Sequence, residues 1–536
     1  MKRAQGTGWR TVARAAAAGL LIFAAACSGN GSNGTPDTGP GPDGNSPLDV
    51  LTESGPMDFP DNTAVPETTD PETGVEDTIP ETAMETVALE VMVPASPCDQ
   101  PELATCPTTT PPPEGQQAVK AFVSANAIPL QCDASGGQWD YTVFMREFQG
   151  RQVMVLGEIH GSNEIGPDSV DLAEHLARHA GVDTWVLEIG MDTTDALNAY
   201  ARTGDAAAAQ AIGFQMYGDN MFRRVFPQRA LELRSEGLDL YLAGIDVPQR
   251  LAWVNEQIEA LVDGLAAPAK AMVLDTLPPP REVDSYGMFG LETAYVNQAK
   301  AYREHILGSL DTVCQAMSAE DCEWLEKLSL ALWTGAIMAS QDFMMAAMTG
   351  QDMSAMIEML KHREELVKYL FHKAIEARPG RVYAHMGAAH AGKGTWTVSS
   401  YLDEEVFAGQ DAVYTVTPAI GNGSQVFYGI MSQPVPAEPP IITSALDPLP
   451  EDRYFLAADE PGLDCNESPF MDHAIPDLDG SFYGVAYDAF VWYRELTADT
   501  PTGMFYSAPP WKQQFFRDQV RRLQYGNRLM TGRDAL

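Results

Sequence analysis

Glu158, His160, Glu188, Asp246 and His390 each stand at or just beyond the end of an apolar run, and their types suit the activation of water. A carboxylate beside an imidazole can orient the ring, raise its basicity or share a metal ion with it. Glu158 and His160 are two apart, so in extended chain their side chains leave on one side. Gly161, directly after them, permits a tight turn that a ligand can approach. Glu188 follows Val186-Leu187, where a carboxylate is costly unless paired or functional. His390 follows Met386-Gly387-Ala388-Ala389, small residues that admit another group, and Lys393 adds a cation three residues on. Glu164, Asp246, His385 and Lys393 are candidates for substrate contact. Inert alternatives exist: the Glu158–His160 pair could satisfy a loop, and Asp246 could cap the following turn. His175 and His179 have a metal-competent i, i+4 spacing but lack the glutamate of a zincin pattern, and read as a helix flank.

These residues need a frame. The runs Val153–His160, Thr184–Glu188, Leu238–Asp246 and Arg381–His390 are largely apolar and bounded by turn or helix signals. That pattern predicts strands buried on both faces. Helical stretches alternate with them, one opening at Pro167-Asp168 with Leu172, Leu176 and Ala180 on its buried stripe, and Asp192 or Thr193 can cap the next. The expectation is an α/β fold: a mostly parallel sheet flanked by helices, with ligands beyond the carboxyl ends of its strands. From about 248 to 379 the pattern is helical, broken at Pro278-Pro279-Pro280, and predicts a large helical insertion packed over that edge as a lid or substrate wall. Seven methionines between Met338 and Met359, Met344 and Met348 among them, read as buried packing or as a haem-contacting surface. Further strands are expected at Asp411–Thr417, Gln425–Tyr428 and Tyr487–Tyr493. A loop is expected from Pro434 to Pro450, and a basic helix from Pro510.

The 536 residues are not all globular. Residues 1–27 carry Lys2, Arg3, Arg10 and Arg14, then an apolar stretch too short to span a bilayer, then Ala24-Ala25-Ala26 before Cys27. Small residues before a cysteine resemble the bacterial lipobox, which makes Cys27 the expected lipidated amino terminus. From Ser28 to Glu114 there are 17 acidic residues and no Lys or Arg, so this tract supplies 17 of the 40 net negative charges. Residues 28–115 are expected to be a disordered, self-repelling tether. Residues 116–536 form the folded part. The acidic chain argues against nucleic acid as a partner.

Seven cysteines occur, and with Cys27 acylated six remain, an even number in an exported protein. Cys98 with Cys106 and Cys314 with Cys322 are plausible local pairs, leaving Cys132 with Cys465. Six cysteines allow fifteen connectivities, so these pairings are a preference.

In order along the chain, Leu156-Gly157-Glu158-Ile159-His160-Gly161-Ser162-Asn163-Glu164, Val186-Leu187-Glu188, Ala243-Gly244-Ile245-Asp246-Val247 and Met386-Gly387-Ala388-Ala389-His390-Ala391 resemble the successive motifs of the erythromycin-esterase/ChaN-like superfamily. Tyr487-Asp488-Ala489-Phe490 resembles its closing strand. The resemblance implies an α/β fold and a family of ring esterases, haem-binding lipoproteins and TraB/Tiki relatives. The Glu-x-His spacing and the Gly-x-x-His of the fourth strand are nearer ChaN, whereas His160-Gly161-Ser162-Asn163-Glu164 is esterase-like.

The function expected is a lipid-anchored hydrolase of an ester, lactone or peptide. His160 or His390 would be the general base, oriented by Glu158 or Glu188, with the other histidine or Lys393 at the oxyanion. In a variant, Glu158, His160, Glu188 and His390 hold a divalent metal; otherwise no cofactor is needed. The alternative is a haem- or iron-binding lipoprotein of the ChaN type. No Gly-x-Ser-x-Gly elbow stands on a strand–helix turn. The expected location is exported, held at the outer membrane or cell surface through Cys27.

Overall fold

The computed structural model describes residues 140–159, 164–212, 225–281, 291–340, 353–393, 396–427, 431–435, 440–450, 452–457 and 487–496, with Ser162 and a few positions between 120 and 130. Outside them lie the leader with Cys27, the acidic tether, Cys98, Cys106, Cys132, Cys465, His160, Met344, Met348 and the stretch from Pro510.

Among the described residues nine strands form one sheet: β1 (Ile128–Pro129), β2 (Val153–Glu158), β3 (Val182–Gly190), β4 (Tyr241–Asp246), β5 (Arg381–Gly387), β6 (Val413–Phe427), β7 (Met431–Val435), β8 (Arg453–Ala457) and β9 (Ala489–Leu496). Their order is β1-β8-β9-β6-β2-β5-β3-β4, with β7 paired to β6. The run β9-β6-β2-β5-β3-β4 is parallel throughout, and β8, β1 and β7 add antiparallel pairings at the flanks. The expected mostly parallel α/β sheet is the fold observed.

The four expected strands are β2 to β5. The third begins at Tyr241 rather than Leu238, and the fourth ends at Gly387. Residues 413–417 and 425–427 of the two expected runs are parts of one strand, β6, which pairs with β2 and β9 in its first part and with β7 at its end. The Pro434–Pro450 stretch is not all loop, since Pro440–Leu446 is helical, and β8 lies just beyond it. Proline at the first helical position costs no hydrogen bond, which is why that proline does not prevent the helix.

Helices cover both faces. On one, α1 (Thr142–Glu147), α2 (Ile165–His179), α3 (Thr194–Thr203), α4 (Ala206–Ile212) and α5 (Phe226–Ser235) enclose Met154, Leu156, Trp185, Leu187 and Tyr383. Trp185 meets Phe226 edge-on, with ring centroids 5.5 Å apart. On the other face, Val153, Val155, Val186, Ala384 and Met386 meet Val367, Phe371, Ala374 and Ile375. Each such burial stabilises by roughly 1.5–3 kcal/mol.

The insertion between β4 and β5 contains α6 (Leu251–Val262), α7 (Ala267–Leu274), α8 (Thr293–Val313), α9 (Ala319–Met338) and α10 (Met353–Ala377). Cys314 and Cys322 are disulfide-bonded across the α8–α9 turn, as the spacing predicts. The Ser318 hydroxyl accepts the Asp321 N–H at 3.0 Å and caps α9. The first four insertion helices share their own core, whereas α10 runs back along the sheet, with Leu366 in the insertion core and Val367 against the strands. Among the described residues no helix is long and apolar enough to cross a membrane.

Candidate functional site

Glu158 and Asp246 are the last residues of β2 and β4, and Glu188 lies near the end of β3. His390 does not extend β5: the chain turns after Gly387 into α11 (Ala388–Ala391), which carries it. Gly157 makes room for that turn, since a Cβ there would stand 3.1 Å from the Ala388 Cα and 3.3 Å from the Ala391 Cβ. All four side chains therefore lie at the carboxyl edge, and all are buried.

Two networks form at this edge, one on each face of the sheet. Side chains alternate along a strand. Glu158 follows Met154 and Leu156 onto the α2 face, whereas Glu188 follows Val186 onto the α10 face. Gly387 ends β5 between them, paired with Glu158 in register and donating its N–H to Glu188.

On the α10 face the organising group is Arg363. Its Nε donates to Asp246 Oδ1 at 2.6 Å, and one terminal nitrogen donates to Asp246 Oδ2 at 2.7 Å and to Glu188 Oε1 at 2.5 Å. The other lies 2.9 Å from His390 Nε2. Burial disfavours the guanidinium charge, but Asp246 and Glu188 offset it and its pKa is raised. Glu364, the next residue, is fully buried; it bonds His390 Nδ1 through one oxygen and accepts the Val398 N–H at 2.6 Å through the other.

Burial pushes the His390 pKa down and the Glu364 carboxylate pushes it up; with Arg363 opposing and Glu188 adding, the net is a rise from 6.5 to about 10. The 2.9 Å contact with Arg363 is a hydrogen bond only while Nε2 is unprotonated, and a protonated Nε2–H has Glu188 Oε1, 3.4 Å away, as its acceptor. We take the imidazolium as the neutral-pH state, because Asp246, Glu188 and Glu364 outnumber the single guanidinium.

On the α2 face, His385 Nε2 meets Glu158 Oε2 at 2.9 Å and its Nδ1 meets Ser169 Oγ at 2.7 Å. Tyr383 extends the chain, its hydroxyl 2.6 Å from Ser169 Oγ. His385 is fully buried, so it stands behind Glu158 rather than where a substrate could touch it.

The remaining candidates sit apart from Arg363. Lys393 pairs with Asp488 at 3.0 Å and lies 3.6 Å from Asp403. Glu164 precedes α2, and its carbonyl accepts the Asp168 N–H at 3.2 Å. His175 and His179 lie along α2 with ring centroids 5.8 Å apart, and His175 packs on Tyr141. Arg363 and Glu364 went unnoticed in the sequence because they sit mid-helix in the insertion, far from any strand end. Their only signal is an adjacent Arg–Glu pair shortly before the sheet-facing Val367.

A divalent metal does not fit the described part of the site. Among the described residues no three His, Cys, Asp or Glu side chains are grouped to hold one. The guanidinium of Arg363 already supplies a cation between Glu188 and Asp246.

No family model and no curated protein matches the chain. Three solved structures give the range of likeness. A protein of Bacillus cereus is 14% identical with a TM-score of 0.47, over 72% of this chain and 99% of that one. A mutant of the erythromycin esterase EreC in its open conformation is 14% identical with a TM-score of 0.49, over 69% and 96%. ChaN of Campylobacter jejuni, solved with cofacially bound haem, is 11% identical with a TM-score of 0.23, over 55% and 90%. An erythromycin esterase and ChaN, from two of the groups named by the motif resemblance, are thus among the structures this chain is similar to. At such identities and scores these likenesses carry no argument about activity.

Proposed function

We propose that the chain is a hydrolase of an ester, lactone or peptide, acting at the carboxyl edge of its sheet. The observation that carries this is the buried Glu364–His390–Arg363–Glu188 array, a charged group set at high energetic cost where a parallel sheet binds ligands. A base should have a pKa near the working pH. His390, raised to about 10, is too strongly protonated for that role and suits an electrophile instead. His390 and Arg363 would stabilise the developing oxyanion. His160, oriented by Glu158, would take the proton from water, passing it to the leaving oxygen or nitrogen as the acyl–heteroatom bond breaks. The positive charge given first to Lys393 belongs in this reading to Arg363.

The test incubates the purified chain with a panel of esters, lactones and peptides in the presence of a chelator, beside a haem titration. Hydrolysis that survives the chelator supports the reading. A saturable Soret shift with no turnover of any panel member contradicts it and favours the haem-binding alternative. We also propose, from the residues before Cys27, that the chain is exported and lipid-anchored.

A further inference from the structure

We infer that Ser169 and Tyr383 are positioning residues that fix the ring of His385, in the Nε2–H tautomer that Glu158 sets, and so aim the Glu158 carboxylate at the rim. The functional importance of that aim rests on the hydrolase reading; the tautomer does not. Three contacts of 2.6, 2.7 and 2.9 Å link Tyr383, Ser169, His385 and Glu158 in one line. Tyr383, Ser169 and His385 are fully excluded from solvent, so the line cannot exchange its partners for water.

The direction of the line follows from what each group can donate. An ionised Glu158 only accepts, so His385 must donate through Nε2. A neutral ring then presents a lone pair at Nδ1, which the Ser169 hydroxyl fills. Having spent its own proton, the Ser169 oxygen accepts from Tyr383. Burial first, and the nearby Glu158 and Asp168 carboxylates after it, push the Tyr383 pKa up, so that hydroxyl keeps the proton it donates. Phe226 packs on the imidazole at 5.6 Å between ring centroids and closes its apolar side. The opposite tautomer would leave Ser169 and Tyr383 with one acceptor fewer than their two protons require.

Ser169 and Tyr383 come from α2 and β5, while Glu158 ends β2, so the line ties a helix and two strands to one carboxylate. Its effect on turnover acts through the angle of Glu158.

The experiment is nitrogen NMR of the full chain labelled at histidine, with the His385 signals assigned by their loss in His385→Asn. In the wild type at neutral pH, Nδ1 is unprotonated and Nε2 protonated. Ser169→Ala removes the donor to Nδ1 and moves the Nδ1 shift toward that of an unbonded lone pair, with Nε2 still protonated against Glu158, and Ser169→Thr restores the wild-type shift. A wild-type ring protonated at Nδ1, or a ring unchanged in Ser169→Ala, overturns the inference. On any panel member the wild type hydrolyses, Ser169→Ala lowers kcat by about 10- to 100-fold with KM unchanged; an unchanged kcat there removes the positioning role. A wild type that hydrolyses nothing defeats the hydrolase reading and leaves the tautomer to be decided by the spectra.

Discussion

At the residue scale, the site depends on which charges are paired and where protons reside. Arg363 is fastened by both oxygens of Asp246, a bidentate geometry in a dry setting. Removing one partner of such a pair leaves a buried charge uncompensated. Asp246→Ala should destabilise the fold by about 3–5 kcal/mol in denaturant unfolding. Proton occupancy makes a second prediction. Folding raises His390 from 6.5 to about 10, and burial raises Asp168 from 3.8 to about 8 against the pull of Arg453 and Tyr493. Each contribution is complete below the ordinary pKa and is lost as pH climbs through the raised one. Thermal stability should therefore fall from about pH 4 to pH 8 through Asp168 and from about pH 6.5 to pH 10 through His390. Asp168→Asn should flatten the lower part of that decline and Glu364→Gln the upper part, as read from Tm against pH.

At the scale of elements, the site is assembled by strand ends and by one helix that arrives from the insertion. The apolar runs ending on Glu158, Glu188 and Asp246 were legible because a strand buried on both faces has a plain signature. Their rim was legible for the same reason. Which face each side chain takes was not, because that needs the strand boundary to a single residue. Glu158 and Glu188 illustrate the point, one turned to α2 and the other to α10. Nor was the role of α10 legible: Arg363 and Glu364 lie 117 and 118 residues beyond Asp246, and helical spacing says nothing about which distant strand they reach. The turn at α11 gives an element-scale prediction. Gly157→Val would drive methyl groups into the Ala388 backbone and the Val416 carbonyl, 3.1 and 3.3 Å from the Cβ position. It should cost about 1–3 kcal/mol in stability. It should also displace His390, visible as a loss of turnover larger than the loss of folded protein.

At the scale of the whole molecule, an acidic tract, residues 28–115, precedes the sheet-based body. Composition sets the tract apart, with 17 acidic residues and no Lys or Arg between Ser28 and Glu114. If Cys27 is the acylated residue, the natural host should incorporate labelled palmitate into the wild-type chain and not into Cys27→Ser, and only the wild type should sediment with membranes. Labelling of both forms would remove the lipid anchor from the account.

The most direct measurement is kcat for His160→Ala and His390→Ala beside the wild type, on whichever ester, lactone or peptide the wild type cleaves fastest. Loss of the base and loss of the oxyanion donor should each lower kcat by at least about 100-fold. Turnover left unchanged in both variants would contradict the assignment of chemistry to this rim.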